Sequence, residues 1–233
     1  MTDKPTYPRV RAALIDMDGV LYDSMKYHTL AWKRLADELG LHTSRDEFYL
    51  YEGMTGVATL DLLFRRELGR GIDPDEARRL YARKAAYFVE MGRKELMPGA
   101  GEVLAVLRSA GVRCVLVTGS AQSSLLERLD SDYPGAFAPA DRITALDVRH
   151  GKPHPEPYLR GLEKAGVSAS EAIVIENAPL GVEAGKAAGC RVCAVTTGPI
   201  PAEKMRQAGA DFVFPSMTAL AAALPSIIQP TAI

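Results

Sequence analysis

Short apolar runs alternate with helical stretches along the second half of the chain, and this alternation constrains the fold more than any other feature. Helical spacing after Pro98-Gly99, near residues 156–165 and over residues 179–188 is each time followed by a compact apolar run. The predicted strands cover residues 114–117, 172–175, 191–195 and 211–214, and an Ala-rich terminal helix follows. Repeated helix–strand alternation predicts an α/β fold with a doubly wound, mostly parallel, Rossmann-like sheet.

A further apolar run, residues 12–15, predicts a buried first strand, and it leads directly into Asp16-Met17-Asp18-Gly19-Val20. Ligands bind at the carboxyl ends of parallel strands, so Asp16 and Asp18 lie where chemistry is expected. Asp-x-Asp spacing in extended backbone sends both carboxylates to one side, where a hard cation such as Mg²⁺ would neutralise them. Taken alone, the same stretch is equally compatible with a calcium loop or a turn.

Residues 22–96 break the alternation. His28, Trp32 and Leu35 fall at helical spacing, and Asp73-Pro74 has the form of a helix start, with a capping residue before a first-turn proline. The segment holds at least three helical patterns and no convincing strand. We therefore predict an all-helical cap domain, residues 22–96, inserted into an α/β core domain of residues 1–21 and 97–233, where it lies over the carboxyl edge of the sheet as a lid.

Composition narrows the classes of partner and compartment. The chain has 233 residues, 47% of them hydrophobic, a net charge of -1 and no basic run, which argues against nucleic-acid or membrane binding and favours small molecules. No apolar stretch is long enough to span a bilayer, and no export leader is evident. Cys114, Cys190 and Cys193 are too few for a disulfide framework, and the last two are interpreted as ordinary strand and turn residues. We expect a cytoplasmic monomer.

Four segments, in order, resemble the motifs of the haloacid dehalogenase (HAD) superfamily, in its β-phosphoglucomutase-like branch with a helical cap. The segments are Asp16-Met17-Asp18-Gly19-Val20-Leu21, Val117-Thr118-Gly119-Ser120, Gly151-Lys152-Pro153-His154-Pro155-Glu156-Pro157 and Ile175-Glu176-Asn177-Ala178-Pro179-Leu180-Gly181. Any one would be a weak signal, but four in order over nearly the whole chain are specific.

The resemblance implies a role for each matching residue. Asp16 is expected to attack phosphorus and form an aspartyl-phosphate, and Asp18 to act as acid for the leaving oxygen and then as base for the hydrolytic water. The phosphoryl oxygens are expected to be held by Thr118, Gly119, Ser120 and Lys152. An aspartate at position 18 also favours phosphate chemistry over carbon–halogen cleavage.

The predicted cofactor is Mg²⁺, with ligands from Asp16, Asp18, Glu52, Glu176 and Asn177. Most members of the branch read Glu-Asp where this chain reads Glu176-Asn177, so one negative charge is missing from the metal site. Glu52 lies in a cap loop where the mutases carry basic residues, and it is the candidate to restore that charge. The alternative is that Glu52 is a solvated loop acid.

The inorganic pyrophosphatase offshoot of the branch has the same combination of a cap glutamate and a fourth-motif asparagine, and the chain looks most similar to it. If Glu52 reaches the metal, the closed cavity would leave little room for a sugar, and pyrophosphate would fit. His28, Tyr81 and Lys84 are predicted to contact the substrate from the cap, although Lys84 could equally snorkel to solvent and His28 could simply end an apolar face. Two alternatives to pyrophosphate hydrolysis stay open. One is a sugar-phosphate phosphatase or β-phosphoglucomutase, and the other is a non-catalytic module that binds phosphorylated ligands.

Overall fold

A six-stranded parallel sheet forms the centre of the molecule. The computed structural model describes residues 8–92, 94–120 and 123–229. The strands are β1 (Ala12–Ile15), β2 (Arg113–Val117), β3 (Arg142–Ile143), β4 (Ala172–Glu176), β5 (Arg191–Val195) and β6 (Phe212–Phe214). Their spatial order is β3-β2-β1-β4-β5-β6, and every neighbouring pair is parallel. The predicted doubly wound α/β fold is confirmed.

Helices cover both faces of this sheet and fill the segment between β1 and β2. Between those strands lie α1 (Met25–Glu38), α2 (Glu47–Leu50), α3 (Gly56–Leu68), α4 (Pro74–Glu90) and α5 (Ala100–Ser109). The later helices are α6 (Ser123–Leu126), α7 (Leu129–Asp132), α8 (Glu156–Ala165), α9 (Pro179–Ala187), α10 (Ala202–Gln207) and α11 (Met217–Ile228).

Alternate residues of each central strand enter two separate apolar layers. Ala13 and Ile15 of β1 face the layer that includes residues of α5 and α11, whereas Leu14 faces the layer that includes residues of α8 and α9. All residues of β1, β4 and β5 are buried. A strand covered on both faces is mostly apolar, which explains why the sequence shows continuous apolar runs rather than alternation, with the charged residues Glu176 and Arg191 only at strand ends.

Local sequence signals fix the helix ends of the cap segment, by which we mean residues 22–96. The carboxylate of Asp73 accepts hydrogen bonds from the backbone amides of Asp75 and Glu76 at the start of α4. Thr55 caps α3 in the same way through the amide of Ala58. Among the described residues of this segment no strand is assigned, as predicted. That the segment forms a domain separate from the core stays a prediction.

The sequence missed the elements that lack a strong apolar period. The edge strand β3 has only two residues, and α6 and α7 are one turn each, so none of them shows a pattern long enough to read. Cys193 lies within β5 and Cys190 directly before it, and both are free thiols, which confirms their interpretation as strand and turn residues. Across the described ranges, no helix combines the length and apolarity needed to span a bilayer.

Candidate active site

The carboxyl edge of the sheet brings the motif residues together. Asp16 follows β1, Thr118 follows β2, and Asn177 follows β4, and each of the three side chains is buried. Lys152 comes from the loop between β3 and α8. Because β1 lies between β2 and β4, its carboxyl end is the point at which residues from both neighbouring strands converge.

Lys152 joins two of these strand ends. Its ammonium nitrogen lies 2.5 Å from Oδ1 of Asp16 and 2.5 Å from Oε1 of Glu176, and it also donates to the carbonyl oxygen of Val117 at 3.1 Å. The hydroxyl of Tyr158, on α8, donates to the same Oε1 of Glu176 at 2.7 Å. Lys152 therefore fixes the candidate nucleophile and is itself fixed by β4 and α8.

Burial and the neighbouring charges shift the pKa values of both Asp16 and Lys152. Burial raises the pKa of Asp16 to about 8, with Glu176 and Asp18 adding to the rise and Lys152 opposing it. Burial alone would lower the pKa of Lys152, but Asp16 and Glu176 raise it well above its usual range, so the ammonium stays charged. Asp16 is thus a carboxylate that needs cations around it to remain ionised.

Glu52 reaches the core from the loop between α2 and α3. Oε1 of Glu52 accepts a hydrogen bond of 2.7 Å from Nδ2 of Asn177, and Glu52 is only 8% exposed. The interpretation of Glu52 as a solvated loop acid is therefore wrong. Gly19 makes this approach possible, since a Cβ there would lie 2.0 Å from Nδ2 of Asn177.

The donor set around Glu52 fits a hard divalent cation. Oδ1 of Asn177 is buried without a hydrogen-bond partner among the described residues, and the pKa of Glu52 is raised well above its usual value by burial and by the nearby Asp16 carboxylate. A cation would relieve both penalties. In the described part of the chain, no three Asp, Glu, His or Cys side chains converge tightly enough to hold a metal by themselves.

The hydrogen bonds of Glu176 argue against its predicted role as a direct metal ligand. Its Oε1 accepts from Lys152 and Tyr158, and its Oε2 accepts from the backbone amides of Asn177 and Ala178. A carboxylate has about four lone-pair sites, and four donors fill them. Glu176 is placed to hold Lys152 rather than a cation.

Asp18 faces the cap segment and is the end of a buried hydrogen-bonded chain. Its Oδ1 accepts from the Ser24 hydroxyl at 2.6 Å and lies 2.9 Å from Nε2 of His28. The other ring nitrogen of His28, Nδ1, lies 2.5 Å from the Lys84 ammonium nitrogen. Lys84 is only 2% exposed, so it does not snorkel to solvent, and His28 does more than end an apolar face.

Charge states along this chain follow from the same geometry. Burial acts to raise the pKa of Asp18, but the nearby His28 and the hydrogen bonds of His28 and Ser24 outweigh it and leave the pKa lowered. Burial and the Lys84 ammonium lower the pKa of His28, which indicates a neutral ring donating from Nε2 to Asp18. Asp18 is therefore ionised in this arrangement, which is the state that a general base requires.

The remaining motif residues line a small cavity between the cap segment and the core. Thr118, Gly119 and Ser120 border it, and the hydroxyl oxygen of Thr118 accepts from the amide of Ser120 at 3.0 Å. A Cβ at Gly119 would lie 2.6 Å from the carbonyl oxygen of Gly53, so the two loops touch. The cavity has a volume of about 60 Å³.

Residues from the cap segment form the other half of the same cavity. Its cap-side lining includes His28, Glu52, Tyr81 and Lys84, so all four residues predicted to act from the cap reach the space that Asp16 and Asp18 border. The structure thus brings together every predicted site residue. Their roles in binding substrate stay predictions.

Sequence reasoning missed Ser24 and Tyr158, which support Asp18 and Glu176. Ser24 looks like an ordinary residue before a helix, and Tyr158 like a core aromatic within α8. Tyr158 is completely buried, and a buried tyrosine normally needs a partner for its hydroxyl. This expectation could have drawn attention to Tyr158 in the sequence, but it does not predict that Glu176 is the acceptor.

Comparisons with known proteins agree with this geometry. Residues 10–189 match the family model described as haloacid dehalogenase-like hydrolase. Glycerol-1-phosphate phosphohydrolase 2 of Saccharomyces cerevisiae is 31% identical, with 84% of this chain and 79% of the relative covered. Hexitol phosphatase A of Escherichia coli is also 31% identical, with 90% and 92% covered.

A solved structure from Bacteroides vulgatus, which carries the name "Putative beta-phosphoglucomutase", superimposes with a TM-score of 0.90 at 42% identity. The alignment covers 94% of this chain and 89% of that one. A match of this extent includes both the sheet and the cap segment.

Proposed function

The chain belongs to the haloacid dehalogenase-like hydrolase family, and from this we propose that it is a Mg²⁺-dependent phosphohydrolase that works through an aspartyl-phosphate. The observation that carries the proposal is the buried contact between Lys152 and Asp16, with Asp18 bordering the same cavity. A non-catalytic binding module would not require a nucleophile, a charged lysine and a separate base around one small space.

The residues divide the chemistry between the two sides of the cavity. Asp16 attacks phosphorus along a line fixed by Lys152, whose ammonium also offsets charge on the transferring oxygens. As the bond between phosphorus and the leaving oxygen breaks, Asp18, protonated in the substrate complex, gives that oxygen its proton. The resulting Asp18 carboxylate, held in place by His28, then takes a proton from the water that hydrolyses the aspartyl-phosphate. The hydroxyl of Thr118 and the amide of Gly119 add donors for the phosphoryl group.

Asp16, Glu52 and the amide oxygen of Asn177 are the side chains that would hold Mg²⁺. When bound, the ion supplies positive charge that polarises the phosphoryl group. We leave Glu176 out of this set because its oxygens already accept four hydrogen bonds, and Asp18 stays a predicted ligand.

The relatives favour a phosphorylated carbohydrate or polyol as substrate. The two curated relatives described above are named for glycerol 1-phosphate and hexitol phosphates, and neither name refers to pyrophosphate. We therefore place a small sugar or polyol phosphate first. This choice replaces the sequence-based preference for pyrophosphate.

Pyrophosphate remains the second candidate because one observation specifically favours it. The carboxylate of Glu52 occupies the cap side of the site beside Asn177, and the cavity of about 60 Å³ leaves little space for a hexose. A phosphate leaving group needs less room than a hexose.

A substrate panel tests both candidates. Phosphate release would be measured with Mg²⁺ for pyrophosphate, glycerol 1-phosphate, hexitol and hexose phosphates and nucleotides, compared by kcat/KM. A lead for a polyol or sugar phosphate supports the first candidate, and a lead for pyrophosphate supports the second. No release with any member would contradict hydrolysis and favour a mutase or a binding module.

Glu52 can be tested separately from the rest of the site. Glu52→Gln keeps the size and the hydrogen-bonding capacity of the side chain but removes its charge, so we expect a roughly 10–100-fold weaker apparent affinity for Mg²⁺. Glu47→Gln, in the neighbouring helix α2, is the matched control. An unchanged Mg²⁺ dependence in Glu52→Gln would remove Glu52 from the metal site.

A further inference from the structure

The small cavity at Asp16 is separated from a much larger groove by very little protein. The groove has a volume of about 620 Å³ and lies between α4 and residues 145–149 of the core. Gly56 and Tyr81 are the two residues that line both the cavity and the groove. These two residues therefore belong to the wall that the cavity and the groove share.

The ring of Tyr81 lies directly on the backbone where α3 begins. A Cβ added at Gly56 would lie 2.0 Å from Cδ2 and 2.2 Å from Cε2 of Tyr81, closer than any carbon contact allows. Gly56 is thus required for space. On the cavity side, the Tyr81 ring centroid is 6.1 Å from that of Trp32 and 5.9 Å from the Lys84 ammonium.

On the groove side, small side chains on α4 leave the space beside Tyr81 unfilled. Ala82, Ala85 and Ala86 follow Tyr81 on α4 and present only methyl groups, and Leu146 on the facing loop is 84% exposed. A group that passed the position of Tyr81 would enter a space about ten times the volume of the cavity itself.

We propose that Tyr81 is a specificity-determining residue, whose ring closes the leaving-group side of the cavity and excludes phosphate esters too large for it. The inference rests on the proposed phosphohydrolase function. It gives the ring of Tyr81, rather than its hydroxyl, control over the size of the leaving group. The contact with Gly56 holds the ring in the closing position.

The test compares a bulky with a small substrate. For wild type, Tyr81→Ala and Tyr81→Phe, kcat/KM would be measured for 4-nitrophenyl phosphate and glycerol 1-phosphate with Mg²⁺. We expect Tyr81→Ala to raise the bulky-to-small ratio by about tenfold or more. Tyr81→Phe keeps the ring and should keep the wild-type ratio, even if loss of the hydroxyl lowers both rates.

Two more variants guard against an indirect effect. Tyr81→Leu retains apolar packing if the alanine variant folds poorly, and it should raise the ratio in the same direction. Ala86→Trp fills the groove, so adding it to Tyr81→Ala should cancel the gain. An unchanged ratio in folded Tyr81→Ala and Tyr81→Leu, or a gain that Ala86→Trp does not reduce, would overturn the proposal.

A binding measurement separates this inference from the proposed function. Trp32 is the single tryptophan of the chain and borders the cavity, so its fluorescence reports on a nitrophenyl group beside it. With Asp16→Asn as background, Tyr81→Ala should bind 4-nitrophenyl phosphate about tenfold more tightly. Tighter binding without hydrolysis by the wild type would reject the function and keep the exclusion by Tyr81, whereas hydrolysis with unchanged binding and ratio would reject the exclusion alone.

Discussion

Two buried lysines, one on each side of the cavity, show how the core and the cap segment differ. Lys152 and Lys84 are each 2% exposed. Lys152 contacts the carboxylates of Asp16 and Glu176, which raise its pKa, whereas Lys84 contacts the neutral ring of His28, and burial lowers its pKa to about 7. Two equally buried lysines therefore have pKa values shifted in opposite directions, because Lys152 lies between carboxylates and Lys84 does not.

This difference indicates different tasks. A lysine held between two carboxylates is a fixed charge, suited to holding a nucleophile and a phosphoryl group. A lysine with a pKa of about 7, placed behind His28 and Asp18, changes its charge near neutral pH. The core lysine is therefore a charged partner of two carboxylates, whereas the cap lysine lies behind Asp18 with a lowered pKa.

The largest expected effect is on the core side. Asp16→Asn should lower kcat by at least about 10⁴-fold, since loss of the nucleophile removes the covalent route. The fold should persist, because the amide keeps the shape of the side chain. Phosphate release and urea unfolding would be measured beside Asp37→Asn, the same exchange on the exposed face of α1. Appreciable turnover by Asp16→Asn would rule out the aspartyl-phosphate.

Lys152→Met should affect both activity and folding. The variant leaves Asp16 and Glu176 as close, unpaired buried carboxylates, so we expect a loss of about 3–5 kcal/mol in the free energy of unfolding and about 10²–10³ in kcat. Lys186→Met is the control, because Lys186 pairs with Asp211 at the surface, where such a pair contributes about 1 kcal/mol or less. Equal destabilisation by the two variants would contradict the comparison.

Lys84→Met should change stability in the opposite sense. Below pH 10.5 the unfolded lysine is protonated, while the folded one releases its proton down to about pH 7, so the stability of the wild type rises with pH across this window. Lys84→Met lacks this penalty and should be more stable near pH 7, by a margin that shrinks towards pH 10. Urea unfolding at several pH values measures this margin, and Lys204→Met, at an exposed lysine, is the control. A margin independent of pH would show that Lys84 keeps its ordinary pKa.

Tyr158→Phe should have the smallest effect. Removing the hydroxyl deletes one hydrogen bond to Glu176, which is expected to lower the free energy of unfolding by about 1 kcal/mol. Because Tyr158 positions Lys152 through Glu176 and does not border the cavity, kcat should fall a few-fold with KM unchanged. Tyr27→Phe is the control: it removes an exposed hydroxyl that donates to Glu95, and it should change neither the free energy of unfolding nor kcat. A change in KM alone would place Tyr158 in substrate binding instead.

Much of the core could be predicted because its signals are local. The strand β5 and the helix α8 have the bounds that their apolar patterns predicted, and α4 begins at the predicted proline after Asp73. Elements of one turn or two residues were missed, because a period cannot be read from so few positions. The sequence predicted Glu176 as a metal ligand because it does not show that Lys152 and Tyr158 already contact its oxygens.

The sequence by itself determined the family, the main alternation of helices and strands, and the residue types that follow β1, β2 and β4, because each of these depends on short segments of the chain. Only the tertiary structure decided which atoms meet. It placed Glu52 against Asn177, joined Lys84 to Asp18 through His28, and put Tyr81 in the lining of a cavity of about 60 Å³. The physical reason is that charge state and cavity size depend on contacts between distant segments, and burial makes those contacts decisive.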